Sequence, residues 1–313
     1  MNMLLCMTGR NLKIFLKDKA NIFFSLLTTF IVLGLYILFL GKTQTDSINA
    51  ALAEVGFSGA EKEVRAFCDS WMLSGALASA TITVPLCACG VMVQDKKRGI
   101  VNDLAASPVP KWLAPASYCL SVAAAGLILC SVVFVLALGW LALSGSWCLT
   151  AADVFGALGS MVLSVLCSTA LLVFAVGFIR TDGAFTGLNV ILGTVVGFLI
   201  GAYMPLSMLP KGIQYFSACI PGSHTAGLMR NFIMGGALDK LESVSSAEFA
   251  AGLREQFSFE LYFFGNAVTP AAMAVFIAGA ALLFIGVLAL QGFIVRGGAK
   301  KKNGVSYKDR SDE

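Results

Sequence analysis

The sequence predicts an all-α polytopic membrane protein with six transmembrane helices. Three observations carry that prediction. Of the 313 residues, 58% are hydrophobic and 13% are charged, against about 25% charged in an ordinary soluble domain. The apolar residues arrive in continuous blocks, where the strands of a membrane barrel would alternate. Lys and Arg fall unevenly between the two sides of those blocks, the bias that orients a membrane chain.

Residues 1–21 place Leu12, Phe15 and Leu16 on one helical face, with Lys13, Lys17 and Lys19 between them. This predicts an interfacial amphipathic helix on the inner leaflet; the alternative is a plain basic flank. A spanning helix needs about 20 apolar residues to cross roughly 30 Å of hydrocarbon. Six blocks meet that requirement, at 22–41, 71–93, 113–141, 154–179, 183–205 and 270–294. They make residues 22–295 the membrane domain. The first block starts too late and runs too long for a signal peptide, and no small-x-small site follows Gly41, so it reads as an uncleaved span.

With the N-terminus placed in the cytoplasm, 15 Lys and Arg fall inside and 7 outside, and the loop 142–153 has none. The expected location is the plasma (inner) membrane, with both termini cytoplasmic. The net charge of +4 is this topology signal, and no nucleic-acid partner is expected.

Thr81, Thr83 and Pro85 lie in span two, and Asn189 in the cytoplasmic half of span five. They are the candidate translocation-path residues. Pro85 removes a backbone bond and kinks its helix; Asn189 either lines a path or bonds a neighbour. Gly193, Gly197 and Gly201 recur at four-residue spacing, and small residues on one stripe let helices pack closely. Residues 206–236 are apolar but broken by Pro210, Pro221 and Gly222. Neither piece is long enough to span, which predicts two short re-entrant helices on the outer side. Ser245-Ser246-Ala247-Glu248 resembles a capping box, and Phe249, Leu253 and Phe257 follow at helical spacing. A small amphipathic outer helix is expected there. The basic tail 296–313 reads as disordered. No internal repeat is visible.

Little in the chain carries covalent chemistry. Of nine cysteines, Cys6, Cys87, Cys89, Cys119, Cys130 and Cys167 lie in or near apolar spans, where Cys serves as a small hydrophobe. Cys87-x-Cys89 lacks metal-site spacing. Cys68, Cys148 and Cys219 fall outside, as free thiols in preference to a disulfide. Gly41-Lys42-Thr43 is not a phosphate-binding loop, because Tyr36 stands where a Gly is required. The single histidine, His224, reads as structural, capping a helix or bonding a carbonyl. The span centres lack Asp, Glu, Lys and Arg, which ion-coupled carriers place there. No cofactor, metal or catalytic group is expected, and energy is expected to come from outside the membrane domain.

The loop 94–111 has the makeup of a docking element: a charged start, a Gly, a short amphipathic turn and a Pro stop. Its residues Asp95-Lys96-Lys97-Arg98-Gly99-Ile100-Val101-Asn102-Asp103-Leu104, closed by Ser107-Pro108-Val109, resemble the first cytoplasmic loop of type 2 ABC-transporter permeases. The departures are Ile100, where Thr is usual, and Asn102, where Glu is common. A second likeness lies in Leu209-Pro210, Ile220-Pro221-Gly222-Ser223-His224 and Leu228-Met229-Arg230, with Ile220 in place of the usual Asn. Span count, inside termini and the re-entrant region agree as well, so the likeness covers nearly the whole chain.

The resemblance implies a half-size permease that pairs with a second permease and with separate ABC ATPase subunits. It would export a hydrophobic or amphipathic substrate such as a drug, lipid or peptide. Asp95, Lys96, Lys97, Arg98, Gly99, Asp103, Leu104 and Pro108 would then meet the ATPase. Spans two and five would border the route, and Pro210, Pro221, His224 and Arg230 would belong to the outer re-entrant region. The competing readings are an ion-coupled secondary transporter, disfavoured by the charge-free spans, and a membrane-embedded enzyme, for which no nucleophile–base pair is visible.

Overall fold

A computed structural model describes residues 2–57, 59–259, 261–263 and 266–303. The chain is an all-α polytopic membrane protein. Helix α1 (Asn2–Lys17) is separated from α2 (Lys19–Leu35) by Asp18, whose carboxylate accepts from the Asn21 amide at 3.0 Å. That N-cap satisfies an orphan donor and restarts the helix. A π turn, Tyr36–Leu40, joins α2 to α3 (Gly41–Glu54). The Gly41 amide donates to the Tyr36 carbonyl five residues back, the signature of such a turn. The two pieces Lys19–Leu27 and Thr29–Glu54 meet at 46°. The helix therefore continues well past the span read at 22–41 and takes up much of the expected outer loop.

Helices α4 (Glu61–Ala88) and α5 (Gly90–Lys97) form one membrane segment of 37 residues, interrupted at Cys89. Pro85 lies one turn before that break, where its missing N–H weakens the helix. The expected span 71–93 is the middle of this longer rod. A left-handed residue, Gly99, leads into the short α6 (Ile100–Ala106). Next come α7 (Leu113–Leu143) and α8 (Ala151–Gly177), the latter opened by a capping box between Thr150 and Asp153. Helix α9 (Asp182–Leu199) ends earlier than the predicted 205, because the chain turns at Gly201 with φ +72°.

The region read as outer departs most from expectation. Helix α10 (Lys211–Ala218) is short, as predicted, but α11 (Pro221–Val244) runs for 24 residues. It is long enough to cross a bilayer, at about 36 Å, yet it carries Ser223, His224, Thr225 and Arg230, all buried in protein. Helix α12 (Ala247–Gln256) is present where an outer helix was expected; Ser246, one residue after the predicted cap, accepts from the Phe249 amide. A hairpin of strands β1 (Leu261–Phe263) and β2 (Asn266–Val268) precedes α13 (Pro270–Asn303). The last helix thus continues past residue 295 through the first part of the tail read as disordered. Residues 304–313 lie outside the described residues.

Among the described residues, five helical segments are long and apolar enough to cross a membrane, and the bent pair from Lys19 to Glu54 makes a sixth. Helix α4 is the axis of the molecule, packed by α2, α7, α8 and α11. A smaller core of Cys167, Leu228, Met273 and Ile277 joins α8, α11 and α13. Helix α9 stands apart: Val190, Ile191, Val195 and Phe198 are exposed, while Val196 and Gly197 are its buried residues. All nine cysteines are free thiols.

Candidate functional site

The site is built where α5 gives way to α6. Gly99 has φ +78°, a conformation that any side chain would strain. The turn leaves Asn102, Asp103, Pro108 and Lys111 exposed and Leu104 half-buried. The three residues that end α5 are each held by different elements.

Asp95 was expected on an exposed surface, but its side chain is only 2% exposed. It receives a two-pronged bond from Arg10, at 2.6 and 2.9 Å, and a third from the Tyr118 hydroxyl at 2.7 Å. The fork of a guanidinium matches both carboxylate oxygens, which makes this geometry strong. The hydrogen bond to Asp95 raises the Arg10 pKa above its ordinary value. Arg10 also donates to Asn11, which reaches Ser117 on α7 at 3.4 Å. One carboxylate thereby ties α5 to α1 and α7.

Lys96 turns the other way. Its ammonium donates to the carbonyls of Val176, Gly177 and Ile179, at 3.2, 2.6 and 3.1 Å. Those carbonyls cluster at and just past the end of α8, where a cation also meets the negative end of the helix dipole. Lys97 pairs with Asp182 in the first turn of α9, a position that favours the acid. Arg98 is exposed. Successive residues thus link the base of α6 to α1, α7, α8 and α9. Sequence reasoning missed Arg10, Tyr118 and Asp182 as partners. These partners lie 23 to 85 positions away, and no local pattern signals them.

The candidate path residues are mostly locked into protein. Thr81 is fully buried and shares its hydroxyl with Ser164 at 2.8 Å, which in turn accepts from Thr225 at 2.9 Å. This seam joins α4, α8 and α11. Thr83 donates to the Ser25 carbonyl at 3.1 Å, and Pro85 packs close to Gly126 of α7. Asn189 is half-buried; it donates to the Phe185 carbonyl and accepts from Cys87 of α4 at 3.5 Å. Of the four, Asn189 alone keeps partial exposure, where α9 meets α4.

At the opposite end, Arg230 is fully buried, although its position had been read as part of a short outer element. It donates to the carbonyls of Ile200 and Gly201 at 3.2 and 2.5 Å, and to that of Ser258 at 3.1 Å. His224 holds the Ala218 carbonyl at 2.8 Å and stacks on Phe276 with ring centroids 4.2 Å apart. Pro221 is the first residue of α11, a favoured place for proline. Pro210 stands just before α10. Asp69, two residues before the span read at 71–93, is buried in α4 and accepts from Tyr36 and Ser146, at 3.1 and 2.8 Å.

The glycine stripe is not one continuous helical face. Gly201 lies beyond the end of α9, and the Tyr203 ring folds back over Gly197, its hydroxyl 3.5 Å from the Gly193 carbonyl. A side chain at 197 would overlap that ring. Gly197→Leu is therefore expected to displace Tyr203 and lower thermal stability by about 1–3 kcal/mol. Gly279→Leu, with nothing near its Cβ position, should leave the melting temperature within about a degree or two. Equal melting shifts in the two variants would refute the assignment.

Fold and site together define a multi-pass helical membrane protein whose charged turn is anchored across the bundle. Residues 3–234 match the family model for ABC-2 type transporters. The chain belongs to that family and is a permease component of an ABC transporter. The match takes in the anchored turn and most of α11. No curated protein and no solved structure matches the chain.

Proposed function

We propose that the chain is the membrane half of an ATP-driven exporter, working with a second permease and with separate ATPase subunits. The observation that carries this reading is the fan of contacts at Asp95, Lys96 and Lys97. A short exposed helix has no use for four anchors unless force reaches it from outside. An ATPase that moves α6 would tilt α1, α7, α8 and α9 together, switching the bundle between two arrangements. The Lys and Arg bias supports placing α6 and both termini in the cytoplasm, with the chain in the plasma (inner) membrane.

The sparsely packed α9 and the exposed Phe23, Phe24 and Ile31 of α2 each offer an apolar surface suited to the second permease. A route bordered by α4 and α9 would pass Asn189 and suit a hydrophobic or amphipathic cargo. A photoreactive amino acid in place of Asn102 tests the reading in native membranes. It is expected to crosslink to an ABC ATPase, while the purified chain alone shows no saturable ATP binding. Saturable ATP binding by the chain itself, or adducts only to lipid, would sink the proposal.

A further inference from the structure

A cavity of about 690 Å³ opens between α1, α7, α8 and α13, away from α4 and α9. Its volume falls within the roughly 300–1,000 Å³ of ligand sites. Its floor is Ala123, Thr169 and Ala170, all buried, and its rim carries Trp112, Leu120 and Ile285, exposed by 45%, 43% and 49%. The cavity therefore faces sideways, toward lipid. Along α7 the wall climbs from Trp112 to Ala123, about 16 Å at 1.5 Å per residue. That is close to the roughly 15 Å depth of one leaflet's hydrocarbon. Trp112 sits at the mouth, where its amphipathic ring suits the headgroup level. Beside it stands the exposed Lys111. In the floor, the Thr169 hydroxyl is buried without a hydrogen-bond partner among the described residues.

We infer that this cavity is a binding site for one anionic phospholipid from the leaflet on the α6 side, with an acyl chain inside and the phosphate at Lys111. Lipid tails are as apolar as the wall, so burial from water does not drive the binding. Shape and charge must hold the lipid instead. Lys111 supplies the charge, since a basic residue near the surface favours an anionic headgroup by about fivefold. The cavity supplies the shape, which a merely annular lipid would not require. The site goes beyond the transport reading and does not depend on an ATPase.

Native mass spectrometry of the purified full-length chain, with phosphatidylglycerol or phosphatidylcholine added, tests the inference. One phosphatidylglycerol per chain is expected to be retained, about fivefold in preference to phosphatidylcholine. Cys119→Phe, which fills the cavity, should abolish retention. Ile285→Trp should do the same from the exposed rim, where misfolding is no concern. Lys111→Glu should remove the preference for the anionic lipid. Retention unchanged in both filled variants, absence of retained lipid in the parent protein, or a preference that survives Lys111→Glu would each overturn the assignment.

Discussion

Arg230→Met is expected to cost about 3–5 kcal/mol of stability and to prevent recovery of most of the protein as a single folded species. The guanidinium holds three carbonyls in a water-free interior. Each bond to a charged donor is worth about 1.5–3 kcal/mol, and an acceptor left unpaired costs about 1–3 kcal/mol. Methionine matches the length and supplies no donor. The same group holds two left-handed turns in place, at Gly201 with φ +72° and at Ser258 with φ +57°. The end of α9 and the approach to α13 should therefore loosen together. Arg230→Lys should recover part of the loss, since an ammonium reaches fewer carbonyls at once. Thermal unfolding followed by size-exclusion chromatography reads the result. A methionine variant as stable as the parent would rule out this role.

Asp95→Ala is expected to cost about 2–3 kcal/mol and to weaken the crosslink from position 102 several-fold, with the spans still inserted. The magnitude lies between two limits. An exposed ion pair contributes about 0–1 kcal/mol, and breaking a buried one costs about 3–5 kcal/mol. The Arg10 side chain is 38% exposed and that of Asp95 only 2%, which places the pair between them. The variant also leaves the buried Tyr118 hydroxyl without its acceptor. Asp103→Ala, on the exposed face, should leave thermal stability unchanged within about 1 kcal/mol. Arg10→Ala combined with Asp95→Ala should cost less than the two separate losses added, because both break one contact. Full additivity, or wild-type crosslinking in Asp95→Ala, would show that the cluster does not position α6.

Much of the architecture was legible because lipid-facing helices write themselves in hydropathy. The spans at 113–141 and 154–179 lie within about three residues of α7 and α8, since their surroundings are hydrocarbon. Helix α11 was underestimated for the opposite reason. Its neighbours are protein, so Ser223, Thr225 and Arg230 find partners there and the segment need not be apolar. Residues 222–230 of α11 are buried in protein, where polar side chains find partners that hydrocarbon would not supply. The glycine stripe misled in a related way, because four-residue spacing assumes a continuous helix and Gly201 lies past the end of one. The turn at 95–108 was legible as a place but not as a mechanism. Its charges were taken as exposed, while Asp95 and Lys96 point into the bundle toward partners far along the chain.

The composition of α11 also constrains how the molecule is made. A helix with an arginine and several hydroxyls along its length has no stable place in bare hydrocarbon. Among the described residues its donors and acceptors are matched by α8, the end of α9, α10 and the turn after α12. It is therefore expected to enter after those walls stand, as a late guest in a cavity they have already formed. Polarity would then order the biogenesis of the bundle, with the most polar of its long helices seated among the last.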